Sequence, residues 1–278
     1  VYANLTSDIM LKRWYIRTRV RIYRSCPQSH TGGHKIMMHQ IYLPFTEQQL
    51  LSHFADVRKN GVCSKNVKHL RYYKDSIKRY NQYLDNNPNR KGKSISDMRK
   101  PCQIEKDERF WIATCMMMIF HSKGRTQELT KLFRKSYGGR PPIRGLNSWD
   151  ECFGKELHLF FEPNLPSPSS YKEWLLKNLN KRQFIPYVLD SAVGKVNLEG
   201  ATNVDAILLN SKNGFAVIIE AKVLSDISYE ITYDTMRNQI ARNIDVMLEE
   251  NKGLCPPLDK RDPEKTLFLL ITPKLFKD

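Results

Sequence analysis

The 278-residue chain has an ordinary globular composition, 41% hydrophobic and 27% charged, which excludes wholesale disorder. Its formal charge of +16 is lopsided: residues 1–150 hold 29 Lys and Arg against 11 Asp and Glu, a net of +18, while residues 151–278 hold 16 against 18, a net of −2. No stretch reaches the roughly 18 apolar residues that a membrane-spanning helix requires, and the six scattered cysteines form no C-x-x-C pair, which argues against a four-cysteine metal site and suits a reducing compartment.

The excess of positive charge in the first half is the footprint expected of a surface that meets a polyanion. The chain starts with Val and no signal-peptide pattern follows. A native start upstream and an intracellular setting, cytoplasmic or nucleoid/nuclear, are therefore expected. Residues 11–24 alternate cations with Trp14, Tyr15, Ile16, Val20, Ile22 and Tyr23, the pattern of a strand with a basic face. Cys26, His30, His34 and His39 offer four zinc donors within fourteen residues, a spacing too crowded for two separated knuckles.

Residues 46–59 and 64–84 read as two helices, capped by Thr46 and Ser64 and parted by Asn60-Gly61. Helix-turn-helix units and ordinary helical hairpins share that pattern. Residues 86–100 read as a linker. Within it Lys91-Gly92-Lys93-Ser94 looks like the end of a phosphate-binding loop, but Asn87 stands where that loop needs Gly. This divides the chain into a basic, mainly helical region, 1–100, and a second domain, 101–278. The second opens with helices at 105–121, 126–136 and 147–161. A proline-rich break at 163–168 leads to a helix at 170–179, then strands at 184–189, 204–209 and 215–223. A long helix, 233–250, and a strand, 266–272, complete an α/β (α+β) domain with one mixed sheet.

Inside the two most apolar strands sit Asp205, Glu220 and Lys222. Alternation puts Glu220 and Lys222 on one face. A four-residue turn sets Asp205 opposite Glu220, and a two-residue Asn213-Gly214 turn sets it opposite Lys222. Either register keeps all three on that face. Unpaired, each buried charge costs several kcal/mol, roughly. Two carboxylates sharing a divalent cation answer that cost, and so does a plain salt bridge to Lys222.

Asp205 followed by Glu220-Ala221-Lys222 resembles the D-x(n)-E-x-K signature of the PD-(D/E)XK, or restriction-endonuclease-like, nuclease superfamily. The element order resembles its αβββαβ core over about residues 147–278. Val204 stands where a Pro is common. The resemblance implies a metal-dependent DNA endonuclease, with Mg2+ (or Mn2+ as substitute) held by Asp205, Glu220 and the Ala221 carbonyl, and Lys222 serving the attacking water. It also implies a further Glu from the helix before the first strand, for which Glu156, inside an apolar stripe, is preferred to Glu173. In the helix after the motif, Gln239 is a candidate catalytic residue, and Arg237 and Arg242 are candidates for nucleic-acid contact. The implied substrate is double-stranded DNA gripped by the basic half, with no membrane and with a homodimer as one way to cut two strands. An inactive nuclease-like scaffold that binds nucleic acid, or an RNA-cleaving enzyme with the same core, are the alternatives.

Overall fold

The computed structural model describes residues 2–5, 46–67, 70, 73, 86, 108–222, 232–250 and 253–273. Its centre is the hairpin of β7 (Ala206–Asn210) and β8 (Ala216–Ala221), in which every residue is buried. The register pairs Ala206 with Ile219 and Leu209 with Ala216. The Asn210 amide donates to the Phe215 carbonyl, which leaves a four-residue turn. Gly214 closes that turn at φ +78, and a Cβ there would lie 2.8 Å from the Asp262 Cβ. Only glycine meets both demands.

Next to β7 lies β4 (Leu157–Phe161), antiparallel. On the other side β8 runs parallel to β9 (Thr266–Pro273), reached through α7 (Gln239–Leu248). The strand β1 (Tyr2–Leu5) adds in parallel outside β9, giving the mixed order β1-β9-β8-β7-β4. Side-chain alternation splits the core in two. Leu208, Val217, Ile219 and Leu269 pack with α2 (Glu108–Phe120), α3 (Arg125–Tyr137) and the single turn α4 (Trp149–Cys152). Ile207, Leu209 and Ile218 pack with Val246 of α7 and Leu258. Two strands buried on both faces need apolar residues at every position, which is why β7 and β8 read as unbroken apolar runs.

Several sequence expectations change. The stretch 147–161 is not one helix. Ser148 caps α4, whose chain turns off after Cys152, and β4 follows. Trp149, Cys152, Phe153, Leu157 and Phe160 imitate a helical stripe because β4, buried on both faces, lacks alternation. Residues 184–189 form no strand: Pro186 opens the helix α6 (Pro186–Ala192), at the first helical position where its missing N–H is harmless. The helix expected at 233–250 starts only at Gln239.

In the first half, α1 (Glu47–Ser52) carries a capping box from Thr46 and Gln49 and then gives way to a hairpin, β2 (Asp56–Lys59) with β3 (Val62–Lys65). Asn60 and Gly61, at φ 51 and 81, are its tight turn rather than a helix stop. Leu50, Phe54, Leu70 and Tyr73 join the same core as Phe161. Cys63 bonds to Cys255, 192 residues away, a separation that no local spacing rule reveals. The start of the proposed helix 64–84 is strand instead, since Ser64 and Lys65 end β3. The basic segment 11–24, the Cys26 and histidine group, residues 68, 69, 71, 72 and 74–84 of that proposed helix, and all but Asn86 of the linker 86–100 lie outside the described residues. Among the described residues no helix is long and apolar enough to cross a membrane.

Between β4 and β7 the chain makes an excursion. A short pairing of β5 (Asn164–Leu165) with β6 (Thr202–Asn203) brackets α5 (Ser169–Arg182) and α6.

Candidate active site

The open end of the β7–β8 hairpin gathers the charged residues. Continuing the register by one residue sets Asp205 opposite Glu220, so the four-residue turn realises one of the two arrangements that the sequence allowed. On the other side, the Glu162 amide donates to the Asp205 carbonyl at 3.1 Å, so Glu162, Asp205 and Glu220 stand abreast at the ends of three neighbouring strands. Glu162 ends β4 with a left-handed backbone, φ 50, and its carboxylate pairs with Arg109 of α2 at 2.8 Å. Lys222, two residues beyond Glu220, reaches Glu220 Oε1 at 3.2 Å and Oε2 of Glu108, the first residue of α2, at 3.4 Å. Asp205 Oδ2 accepts from the Ala221 amide at 2.7 Å.

Among the described residues this cluster holds four carboxylates (Glu108, Glu162, Asp205, Glu220) and two cations (Arg109, Lys222). Burial pushes the Glu220 carboxyl up to about 8, and the neighbouring Asp205 charge adds to that. Burial likewise pushes Asp205 up to about 6, with the charges of Glu162 and Glu108 adding; the Ala221 N–H and Lys222 pull the other way. Burial works against the Lys222 ammonium, but Glu220 and Glu108 outweigh it and hold its pKa above the ordinary lysine value. Lys222 is therefore a charged donor near neutrality and not a free amine.

The first turns of α7 face the same acids. Asn238 caps the helix by accepting from the Ala241 amide at 2.9 Å. Gln239 then donates to Glu220 Oε1, and Asn243, one turn on, donates to Oε2 at 3.0 Å. Four residues apart on a helix share a face, so one helical edge fixes both oxygens of a single carboxylate. Asn243 is fully buried, and its Oδ1 has no hydrogen-bond partner among the described residues.

The sequence-derived residues divide. Asp205, Glu220, Lys222 and Gln239 come together. Arg237 does not join them: it is 4% exposed, pairs with Glu199 at 3.2 Å and Asp245 at 2.6 Å, and lies 3.9 Å over the Tyr171 ring. Arg242 pairs with Glu199 at 2.6 Å and donates to the Gly200 and Ala201 carbonyls. Both guanidinium groups are committed to internal acids, which leaves them poorly placed for phosphate.

Glu156 precedes β4 at the turn end of the hairpin, where its carbonyl accepts from the Ser211 amide. Six residues separate it from Glu162, a span of about 20 Å along an extended strand. Glu173 is exposed on α5. Neither reaches the cluster; the additional carboxylates there are Glu162 and Glu108. Sequence reading missed Glu162 because it missed β4, although Phe160-Phe161-Glu162-Pro163 carries the signal of an apolar run stopped by an acid and a proline. Asn243, an uncharged residue one full turn after Gln239, carries no signal in the sequence beyond that spacing. Among the described residues no group of three or more His, Cys, Asp and Glu side chains is drawn together as a metal site. No protein-family model, no curated protein and no solved structure matches this chain.

Proposed function

We propose that this chain is a metal-dependent nuclease that hydrolyses phosphodiester bonds in DNA at Asp205, Glu220 and Lys222. The observation that carries the reading is the placement of Asp205 opposite Glu220 at the open end of the hairpin, with Lys222 beside them and burial pushing the two carboxyls up to about 6 and about 8. One divalent cation matches the two carboxylates of Asp205 and Glu220, and Mg2+, with Mn2+ as substitute, suits an all-oxygen donor set. Asp205 and Glu220 would hold it, and the unpartnered Asn243 Oδ1 offers a further oxygen beside them. When bound, such an ion neutralises phosphate charge and makes water a better nucleophile.

The chain's own residues supply orientation and charge. The Ala221 N–H aims Asp205, and Gln239 with Asn243 aims Glu220. Lys222, kept protonated by its acidic neighbours, donates a hydrogen bond. It orients the attacking water or steadies the charge that builds on the phosphoryl oxygens, and does not abstract a proton. Water oxygen attacks phosphorus and gives up one proton to solvent, the phosphorus–oxygen bond on the far side breaks, and the leaving oxygen takes up a proton from solvent.

Two further features support a nuclease of the PD-(D/E)XK kind. The motif Asp205…Glu220-Ala221-Lys222 sits on an antiparallel strand pair. Apart from the α5–α6 excursion, helix, three antiparallel strands, helix and parallel strand follow in this order around it, and Glu108 lies on a helix preceding the first of those strands. Exposed Lys131, Arg134, Lys135, Arg140 and Arg144 give the first half a cationic surface for a nucleic-acid backbone.

The test is incubation of the full chain with plasmid, linear duplex, single-stranded DNA and RNA, in Mg2+ or in EDTA, beside Lys222→Ala and Asp205→Asn. Mg2+-dependent cutting that falls about 10²–10³-fold in Lys222→Ala is expected. Binding without cutting by the wild-type chain would overturn the reading in favour of an inactive scaffold. Cutting confined to RNA would reassign the substrate.

A further inference from the structure

The excursion between β4 and β7 differs in charge and surface from everything around it. Residues 169–196 carry Lys172, Lys177, Lys181, Arg182 and Lys195 against Glu173 and Asp190, a net of +3, so the rest of residues 151–278 carries −5. The same 28 residues hold seven of the twelve exposed large hydrophobic side chains among the described residues. Two are aromatic and almost wholly exposed, Phe184 at 78% and Tyr187 at 80%; Trp174 is 42% exposed.

This face is held rigidly in place. Gln183 is buried, and its Oε1 accepts from the Phe184 and Ile185 amides while its Nε2 donates to the Thr232 carbonyl. That one side chain fixes the bend that presents Phe184. Arg182 packs 5.4 Å over the Trp174 ring and pairs with Asp234 at 2.9 Å, and its carbonyl accepts from Thr235. The anchoring segment, 232–238, runs straight into Asn238 and Gln239, the residue that donates to Glu220. Met236, which Arg182 also touches, is three residues from Gln239, at most about 11 Å along the chain.

An exposed aromatic side chain forgoes about 1.5–3 kcal/mol of burial, and here the backbone is braced to keep it outside. Exposed aromatic residues interleaved with lysines along residues 172–195 match a strand whose bases are unpaired: rings stack on bases and ammonium groups meet phosphates. A duplex hides its base faces, and a purely apolar partner would leave the lysines unmatched. We infer that this face is a stacking platform for single-stranded or locally opened nucleic acid, with Phe184 and Tyr187 taking bases and Lys177 and Lys181 taking phosphates. That this strand is also the substrate rests on the nuclease reading; the binding itself does not.

The test is fluorescence anisotropy of the full chain in EDTA with a labelled 20-nucleotide oligo-dT and a duplex of equal length, beside Phe184→Ser and Tyr187→Ser. Both positions are exposed, so unchanged melting curves serve as the folding control. Affinity for oligo-dT should fall about 5- to 100-fold per variant, as expected for one lost stacking contact, while duplex affinity stays within twofold. Unchanged oligo-dT binding, or equal losses for strand and duplex, overturns the platform. So does a change in sedimentation with oligo-dT binding intact, which would make the face a contact between protein chains. If oligo-dT binds through Tyr187 but nothing is cut in Mg2+, the platform stands and the nuclease reading falls. If cutting persists while both variants bind oligo-dT like wild type, the reverse holds.

Discussion

Two partly buried charge clusters flank the front of α7, and they treat their acids differently. In one, Glu199, Asp234 and Asp245 meet Arg182, Arg237 and Arg242, three acids with three cations, tied by bonds of 2.6–3.2 Å. In the other, Glu108, Glu162, Asp205 and Glu220 lie with Arg109 and Lys222 among the described residues. Burying charge is costly unless it is matched. The first cluster is matched and ties Arg182 at the end of α5 and the Glu199 segment to the chain entering α7. In the second, burial and neighbouring carboxylates oppose the ionisation of Asp205 and Glu220.

The largest expected effect breaks the balanced cluster. Glu199→Gln removes the buried acid that Arg237 and Arg242 share, leaving Arg237, 4% exposed, with Asp245 alone. It should cost about 3–5 kcal/mol, measured by urea denaturation. The matching change in the second cluster should have the opposite sign for stability. Glu220→Gln removes an acid whose ionisation burial and Asp205 oppose, so the metal-free protein should melt higher at pH 8 while cleavage falls about 10²-fold or more.

The pH dependence sharpens the same contrast. Folded-state values above the ordinary ones mean that these acids favour the fold in acid, and that this contribution drains away as they ionise. For Asp205 the window runs from about 3.8 to about 6, and for Glu220 from about 4.5 to about 8. Differential scanning fluorimetry without metal should therefore show their stabilising contribution shrinking between pH 4 and 8. Added Mg2+ should raise the melting temperature more at pH 8 than at pH 5; an equal rise at both would remove these acids from the metal's binding set. The smallest effect belongs to the aiming groups. Gln239→Ala should lower cleavage about 10- to 100-fold, as loss of a group that orients a ligand does, with little change in melting.

The central hairpin was legible because β7 and β8 are unbroken apolar runs around a polar turn, and any even register puts Asp205, Glu220 and Lys222 on one face. The first strand was not legible. A strand buried on both faces has no alternation to display, and its apolar residues fell by chance at helical spacing with those of α4. Missing β4 hides Glu162, whose amide donates to the Asp205 carbonyl beside the hairpin. Phe184–Leu189 looked strand-like for a related reason: Phe184, Ile185 and Tyr187 are apolar without being buried, and the sequence records only their apolarity. Arg237 and Arg242 were assigned to phosphate because a guanidinium looks alike in sequence whether it faces solvent or a buried acid. Glu199, which decides the matter, lies 38 residues before Arg237 in the chain.

The Cys63–Cys255 bond has a topological consequence. It closes the backbone into a covalent ring, and Glu108, Glu162, Asp205, Glu220, Lys222 and all of α7 lie on that ring. A protease that cuts the ring once opens it without releasing anything: both pieces stay joined, and the nicked chain runs at full mass until a reductant is added. Nicking within the α5–α6 excursion, followed on gels with and without reductant, would thus separate loss of the excursion's continuity from loss of the chain that carries the acids.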